Sequence, residues 1–117
     1  MSDARVENAL KDFCAAAEAK GDFASPPSRD HELHHRMKLA LQHLRAAGAS
    51  GDEAFRGLLQ AGSPRVRTWA AAELLSRGDG MALGVLERLA EEAGLHALSA
   101  RVAIQEYRAG RLRSPFA

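Results

Sequence analysis

The chain has 117 residues, which suits one globular domain with a single core. Its 16 Lys and Arg nearly balance its 15 Asp and Glu, and the net charge of +1 lacks the basic excess that drives non-specific binding to nucleic acid. No apolar run approaches the roughly 20 residues of a membrane span, and Met1 to Lys11 lacks the apolar stretch of a signal peptide. We therefore expect a cytoplasmic protein with no membrane attachment.

Glycines recur at nearly even steps and divide most of the chain into segments of three or four helical turns. They are Gly48, Gly62, Gly78, Gly94 and Gly110. Because glycine enters the left-handed conformation cheaply, each is expected just past the end of a helix. Ala and Leu dominate the segments, and apolar residues repeat at steps of three and four. The sequence predicts an all-α fold of about six helices in antiparallel hairpins, at roughly residues 3–20, 29–47, 52–61, 64–77, 80–93 and 95–109.

Two adjacent prolines (Pro26-Pro27) follow the first predicted helix and prevent it from continuing into the second. We therefore expect an N-terminal helix and a proline-containing joint at residues 1–28, followed by helical hairpins at residues 29–110. The arginines near the end of the chain favour a solvated basic tail at residues 111–117. These segments are expected to form a single domain over residues 1–117.

Residues 31–35, in the second predicted helix, run His-Glu-Leu-His-His and match the pattern H-E-x-x-H. On a helix this pattern places His31 and His35 one turn apart, where both can bind one zinc ion, with Glu32 as general base. A small zinc-dependent peptidase is therefore one alternative function. The match is an easy one to meet by chance, because three histidines crowd into five residues.

Two features count against a zinc site at these histidines. The elongated zinc signature needs a glycine and a third histidine, and Lys38 and Leu41 stand at those positions. His31 and His35 also point away from the apolar stripe of their helix. That stripe consists of Leu33, Met37, Ala40, Leu41 and Leu44. We therefore expect a solvated histidine face, no catalytic metal and no cofactor, with adventitious metal binding by His31 and His35 as the alternative.

The later helices carry start signals just after the glycines. Ser50 and Glu53 fit a capping box, in which each side chain satisfies a backbone N–H near the helix start. Ser63 precedes Pro64 at a first helical position, and Asp79 can cap the next helix. The apolar residues expected in the core of these four helices are Phe55, Leu58 and Leu59, then Val66, Ala70 and Leu74, then Val85, Leu86 and Leu89, then Leu98 and Val102.

Residues 58–75 resemble a HEAT repeat: a leucine pair, a turn with proline, Val66-Arg67, small residues and a closing leucine pair. Ser63 stands where the repeat usually has an aspartate, which removes the usual kind of partner of Arg67. Residues 35–48, 63–75 and 100–107 are also similar to a family of short bacterial proteins known as the domain of unknown function number two thousand and nineteen. The resemblance implies a HEAT-like α-α superhelix and supplies no catalytic residues.

HEAT-type solenoids present the second helix of each hairpin along a concave binding surface. The residues expected on that surface are Trp69, Glu73, Arg77, Arg101, Gln105 and Arg108. An aromatic residue flanked by charges is typical of an interaction hot spot. The alternative is that Trp69 belongs to the core and that Glu73 and Arg77 form a surface ion pair.

The sequence therefore favours a non-enzymatic protein-interaction module, and a regulatory or immunity-type role toward a bacterial partner protein is one form that such a module takes. A nucleic-acid-binding HEAT-like protein is an alternative from another class. It is disfavoured by the net charge of +1 and by too few repeats to surround a duplex. The zinc peptidase at His31, Glu32 and His35 is the third alternative.

Overall fold

The computed structural model describes residues 4–20 and 27–116, with side chains from residue 30 onward in the second range. Within these ranges the chain forms six α-helices and no strand, which confirms the predicted all-α class. The helices are α1 (Ala4–Ala19), α2 (Pro27–Ala46), α3 (Ala49–Arg56), α4 (Pro64–Ser76), α5 (Met81–Ala90) and α6 (Leu95–Arg108), with a 3₁₀ turn at Gly57–Gln60. Residues 21–26 of the predicted joint lie outside the described residues. No helix in the described ranges is long and apolar enough to span a bilayer.

The chain divides into two compact units, which are called unit 1 (Met1–Gly57) and unit 2 (Leu58–Ala117). In unit 1, α1 and α2 pack against each other and both contact α3. In unit 2, α4 contacts both α5 and α6, and α5 contacts α6. A single domain over residues 1–117 and a HEAT-like superhelix stay predictions.

Unit 1 has an apolar core that includes the stripe predicted for α2. Phe13 of α1 meets Phe55 of α3 edge to face, with ring centroids 5.1 Å apart and planes at 87°. Aromatic rings prefer this geometry because the positive edge of one ring faces the negative face of the other. The α2 stripe is buried as predicted, at Leu33, Met37, Ala40, Leu41 and Leu44.

The start of α3 differs from the prediction. Gly48 has a φ of 72° and reverses the chain, so α3 begins at Ala49 and Ser50 lies inside the helix. The Ser50 hydroxyl donates to the carbonyl of Ala47 at 3.4 Å, and α3 has no side-chain cap, so the predicted capping box with Glu53 is wrong. Gly51 allows α3 to pass close to the end of α2, since a Cβ there would lie 1.8 Å from the carbonyl oxygen of Leu44.

The helix starts and ends of unit 2 mostly follow the prediction. The backbone N–H of Val66 donates to the Ser63 hydroxyl at 3.3 Å, with Pro64 at the first helical position. The carboxylate of Asp79 accepts from the backbone N–H of Met81 at 3.1 Å and so caps the start of α5. Gly62 is different, because the 3₁₀ turn that ends at Gln60 needs no residue with a positive φ after it.

Helix α4 is buried around most of its circumference, beyond the single predicted stripe. Its buried residues are Val66, Thr68, Ala70, Ala71, Ala72, Glu73, Leu74 and Leu75. Three consecutive alanines leave little side chain between α4 and its neighbours, which permits close approach. The core face of α6 matches this, since it consists of Ala97, Ala100, Ala103 and Ile104. The prediction that Leu98 and Val102 belong to the core is wrong, because both are at least half exposed on α6.

Candidate protein-binding face

The end of α6 turns the chain back toward α4. Gly110 has a φ of 73°, and its N–H donates to the carbonyl of Tyr107 at 3.0 Å. The N–H of Arg111 donates to the carbonyl of Glu106 at 2.8 Å, which completes a Schellman motif. The Arg111 guanidinium also donates to the Glu106 carboxylate at 3.1 and 3.3 Å and lowers the pKa of that carboxyl. The chain direction after α6 is therefore set by backbone and side-chain bonds together.

Residues 111–116, called the C-terminal strap, then pack on α4. The Ser114 hydroxyl donates to Oε1 of Glu73, 41 positions earlier in the chain. The N–H of Phe116 donates to the Ser114 oxygen at 3.1 Å. The ring of Phe116 lies on that of Trp69, with centroids 5.7 Å apart and planes at 39°. The expectation of a solvated tail is wrong for Phe116, which is only 4% exposed, whereas Arg111 and Arg113 are exposed as expected.

Glu73 is the centre of this contact and is 2% exposed. Its Oε2 accepts from Nε of Arg77 at 2.6 Å, one helical turn away, while Oε1 accepts from Ser114. A buried carboxylate is costly unless it is paired and hydrogen-bonded, so both donors are needed to hold it. Glu73 and Arg77 form an ion pair, as in the alternative interpretation of the sequence. That interpretation placed the pair on the surface, whereas the Glu73 carboxylate is buried.

The predicted residues on α6 are placed differently from those on α4. Nε of Arg101 donates to the carbonyl of Ala90 at 3.1 Å, and the guanidinium of Arg108 lies 3.7 Å from the carboxylate of Glu87. Both arginines therefore reach toward α5, while Gln105 is exposed on α6. The six predicted residues split into two groups. Trp69, Glu73 and Arg77 are called the α4 face, in which Trp69 and Glu73 contact the strap and Arg77 bonds Glu73. The α6 residues lie on a different surface.

That second surface is an apolar row on the outside of α6. Leu95, Leu98 and Val102 follow one another at steps of three and four, so they share one side of the helix. They are 46%, 56% and 50% exposed. We call these three residues the α6 outer stripe. Sequence reasoning missed it because α6 carries two apolar rows. The small row of alanines packs inside against the alanine-rich α4, which leaves the large row outside.

The histidine cluster lies on the exposed side of α2. His31, Glu32 and His35 are all exposed, which confirms the predicted solvated histidine face. Among the described residues, no group of three or more His, Cys, Asp and Glu side chains is placed to hold a metal ion. The absence of a zinc site stays a prediction.

A groove of about 470 Å³ lies in unit 1, between the start of α1 and the end of α2. It is lined by Arg5, Asn8, Ala9, Asp12, His43, Ala46 and Ala47. Arg5, Asp12 and His43 are exposed. Catalytic groups are typically desolvated, whereas these three side chains are exposed to solvent.

None of the family models, curated proteins or solved structures compared with this chain matches it. The likeness to HEAT repeats and to the family of short bacterial proteins therefore stays a prediction that the residues of the chain itself suggest.

Proposed function

We propose that this protein is a non-enzymatic protein-interaction module that binds its partner through the α6 outer stripe. The observation that carries the proposal is the exposure of Leu95, Leu98 and Val102 in one row. Isolated exposed apolar residues are ordinary, whereas a contiguous row rimmed by polar groups is typical of a binding surface. Gln105 and Arg101 border this row, and both belong to the binding face that the sequence suggests.

The dimensions of the stripe indicate the kind of partner. From Leu95 to Val102 the helix rises by about 10 Å, which is two turns. An amphipathic helix with apolar residues at steps of three and four fits such a row. Polar and charged groups at its edge give the polar rim that surrounds the apolar centre of most protein interfaces.

Binding to nucleic acid is the second candidate, and the charges of unit 2 count against it. Arg101 bonds a backbone carbonyl, Arg108 lies near Glu87, and Arg111 bonds the Glu106 carboxylate. Neutralised or engaged arginines contribute little to the phosphate contacts on which such binding depends. A zinc peptidase at His31, Glu32 and His35 is the third candidate. It would need a further ligand beside these exposed side chains.

A capture experiment with matched variants tests the proposal. The whole chain, fitted with a crosslinker, is used to capture binding partners in cells of its source. The double variant Leu98→Glu/Val102→Glu is then compared with Leu39→Glu. Leu39 is a suitable control because it is a large apolar residue, 42% exposed, on α2. We expect a protein partner that Leu39→Glu retains and that the double variant loses by at least about tenfold, since charges in an apolar contact oppose binding.

Equal capture by both variants would overturn the α6 stripe as the binding site. Nucleic acid recovered in place of a protein, with a strong salt dependence, would favour the second candidate. Peptidase activity that requires zinc in the wild-type protein and is lost in Glu32→Ala would favour the third candidate.

A further inference from the structure

The C-terminal strap has the features of a bound peptide ligand. It is a short segment without helix or strand that turns at Pro115 and Phe116, and it contacts α4 through a hydroxyl and an aromatic ring two residues apart. The proline restricts the backbone of that segment, so little conformational entropy is lost when it docks. Arg111 and Arg113, which precede the contact, remain exposed.

The α4 face has the features of a site for such a ligand. Glu73 offers a carboxylate oxygen that Arg77 does not use, inside an otherwise apolar and alanine-rich helix surface. For stability alone, an apolar residue of similar volume serves as well as a buried ion pair, so a carboxylate there has no structural advantage. It does give specificity, because it demands a hydrogen-bond donor from whatever docks. Trp69 beside it is half-buried and supplies an aromatic surface.

We infer that the α4 face is a peptide-binding site that the strap occupies in cis, and that its external ligand is a short peptide of the form Ser/Thr-Pro-aromatic. This rests on the proposed function in that it assumes a protein-binding role, and it adds a second surface to the α6 outer stripe. The ligand's hydroxyl takes the place of Ser114 on Glu73, and its aromatic ring takes the place of Phe116 on Trp69. The strap is then a built-in competitor, because a segment tethered by a short linker acts at an effective concentration in the millimolar range.

The test uses the full-length chain and a labelled peptide with the sequence of residues 110–117, GRLRSPFA. The strap is disabled in the double variant Ser114→Ala/Phe116→Ala, and Arg113→Ala serves as the control because Arg113 is an exposed strap residue. Fluorescence anisotropy measures peptide binding. Trp69, the only tryptophan, reports the aromatic contact independently through its emission.

We expect the double variant to bind the peptide at least tenfold more tightly than the wild type and Arg113→Ala. Replacing the serine or the phenylalanine of the peptide by alanine is expected to weaken binding at least tenfold. Adding Glu73→Gln to the double variant is expected to weaken the binding of the serine peptide, with little effect on the alanine peptide. This pattern would show that the serine hydroxyl of the peptide binds the carboxylate of Glu73.

Three results would overturn the inference. One is no binding by a double variant that keeps the wild-type circular dichroism spectrum. Another is loss of helix in that variant and in Ser114→Ala alone, since a strap that is required for folding cannot be exchanged for a ligand. The third is a wild-type mass that doubles with concentration while the peptide blocks it, which would make a second copy the occupant. Leu98→Glu/Val102→Glu should leave peptide binding unchanged, so failure at α4 and failure at α6 are distinguishable.

Discussion

Units 1 and 2 each pack three helices and each contain an aromatic pair, but the two pairs are used differently. In unit 1, Phe13 and Phe55 are 0% and 1% exposed and join two helices across an apolar core. In unit 2, Trp69 is half-buried, and its partner Phe116 comes from the strap. The buried polar residues of the described chain, Thr68 and Glu73, both lie on α4. Among the described residues, unit 1 therefore has an apolar interior, whereas unit 2 buries the Glu73 carboxylate, which accepts from Arg77 and from Ser114 of the strap.

The two phenylalanines should differ most clearly when each is truncated. Phe55→Ala leaves a cavity in a closed core and is expected to cost about 3–5 kcal/mol of stability. Phe116→Ala is expected to cost only about 1–2 kcal/mol if the strap is exchangeable as inferred, because its release from α4 leaves no enclosed cavity. Urea unfolding followed by far-UV circular dichroism gives both values. Equal losses would mean that the strap is as much a part of the core as α3.

The close contact between α2 and α3 in unit 1 gives the next largest expected loss of stability. Gly51→Ala would place a methyl carbon 1.8 Å from the backbone oxygen of Leu44, and a backbone atom cannot move aside as a side chain can. We expect a loss of about 3 kcal/mol or more as the helices separate. Gly57→Ala is the control, because a Cβ there meets no atom within 4 Å and its φ of −59° suits alanine. A Gly51→Ala protein as stable as the control would mean that this contact is not tight.

Local signals predicted much of the fold, and tertiary contacts account for what they missed. The cap at Ser63 and the α2 stripe depend on neighbours within a turn or two of the same helix, and both were predicted. The bond from Ser114 to Glu73 joins residues 41 positions apart, and no periodicity encodes such a pairing. The same holds for Gly51, whose need to be glycine comes from Leu44 on another helix. The sequence thus drew attention to Trp69 and Glu73 on α4 but gave no sign of the segment that covers them, and their role in binding stays a prediction.

The buried carboxylate of unit 2 provides a third test. Glu73→Ala removes the acceptor for Ser114 and Arg77 and is expected to cost about 2 kcal/mol. Glu73→Leu is expected to recover most of that loss, because an apolar side chain of similar size suits a buried site at least as well as an ion pair. Thermal unfolding measures the stability of both variants, and Trp69 emission shows whether Phe116 remains in place. A Leu variant as unstable as the Ala variant would show that the carboxylate is needed for stability.

The ion pair between Lys20 and Asp30 in unit 1 should have the smallest effect on stability, and that effect should depend on pH in a defined way. Nζ of Lys20 donates to Asp30 at 2.7 Å, and this hydrogen bond, with a smaller contribution from the charges of Lys20, His31 and His34, lowers the pKa of Asp30. The Asp30 side chain is 48% exposed, so solvent screens the pair. Asp30→Asn is therefore expected to cost only about 0.5 kcal/mol at neutral pH.

The sign of the pH effect at Asp30 follows from the direction of its shift. Because its pKa is lower in the folded than in the unfolded chain, the stabilisation is complete above the ordinary value of 3.8 and is lost as the pH falls through the lowered pKa. The stability difference between wild type and Asp30→Asn should thus be constant from neutral pH down to about pH 5, shrink below about pH 4 and shrink in 1 M salt. Asp52→Asn, in the first turn of α3, controls for the helix dipole. A difference that grows on acidification would contradict the assigned direction, and one far above 1 kcal/mol would make this surface pair comparable to the buried pair of unit 2.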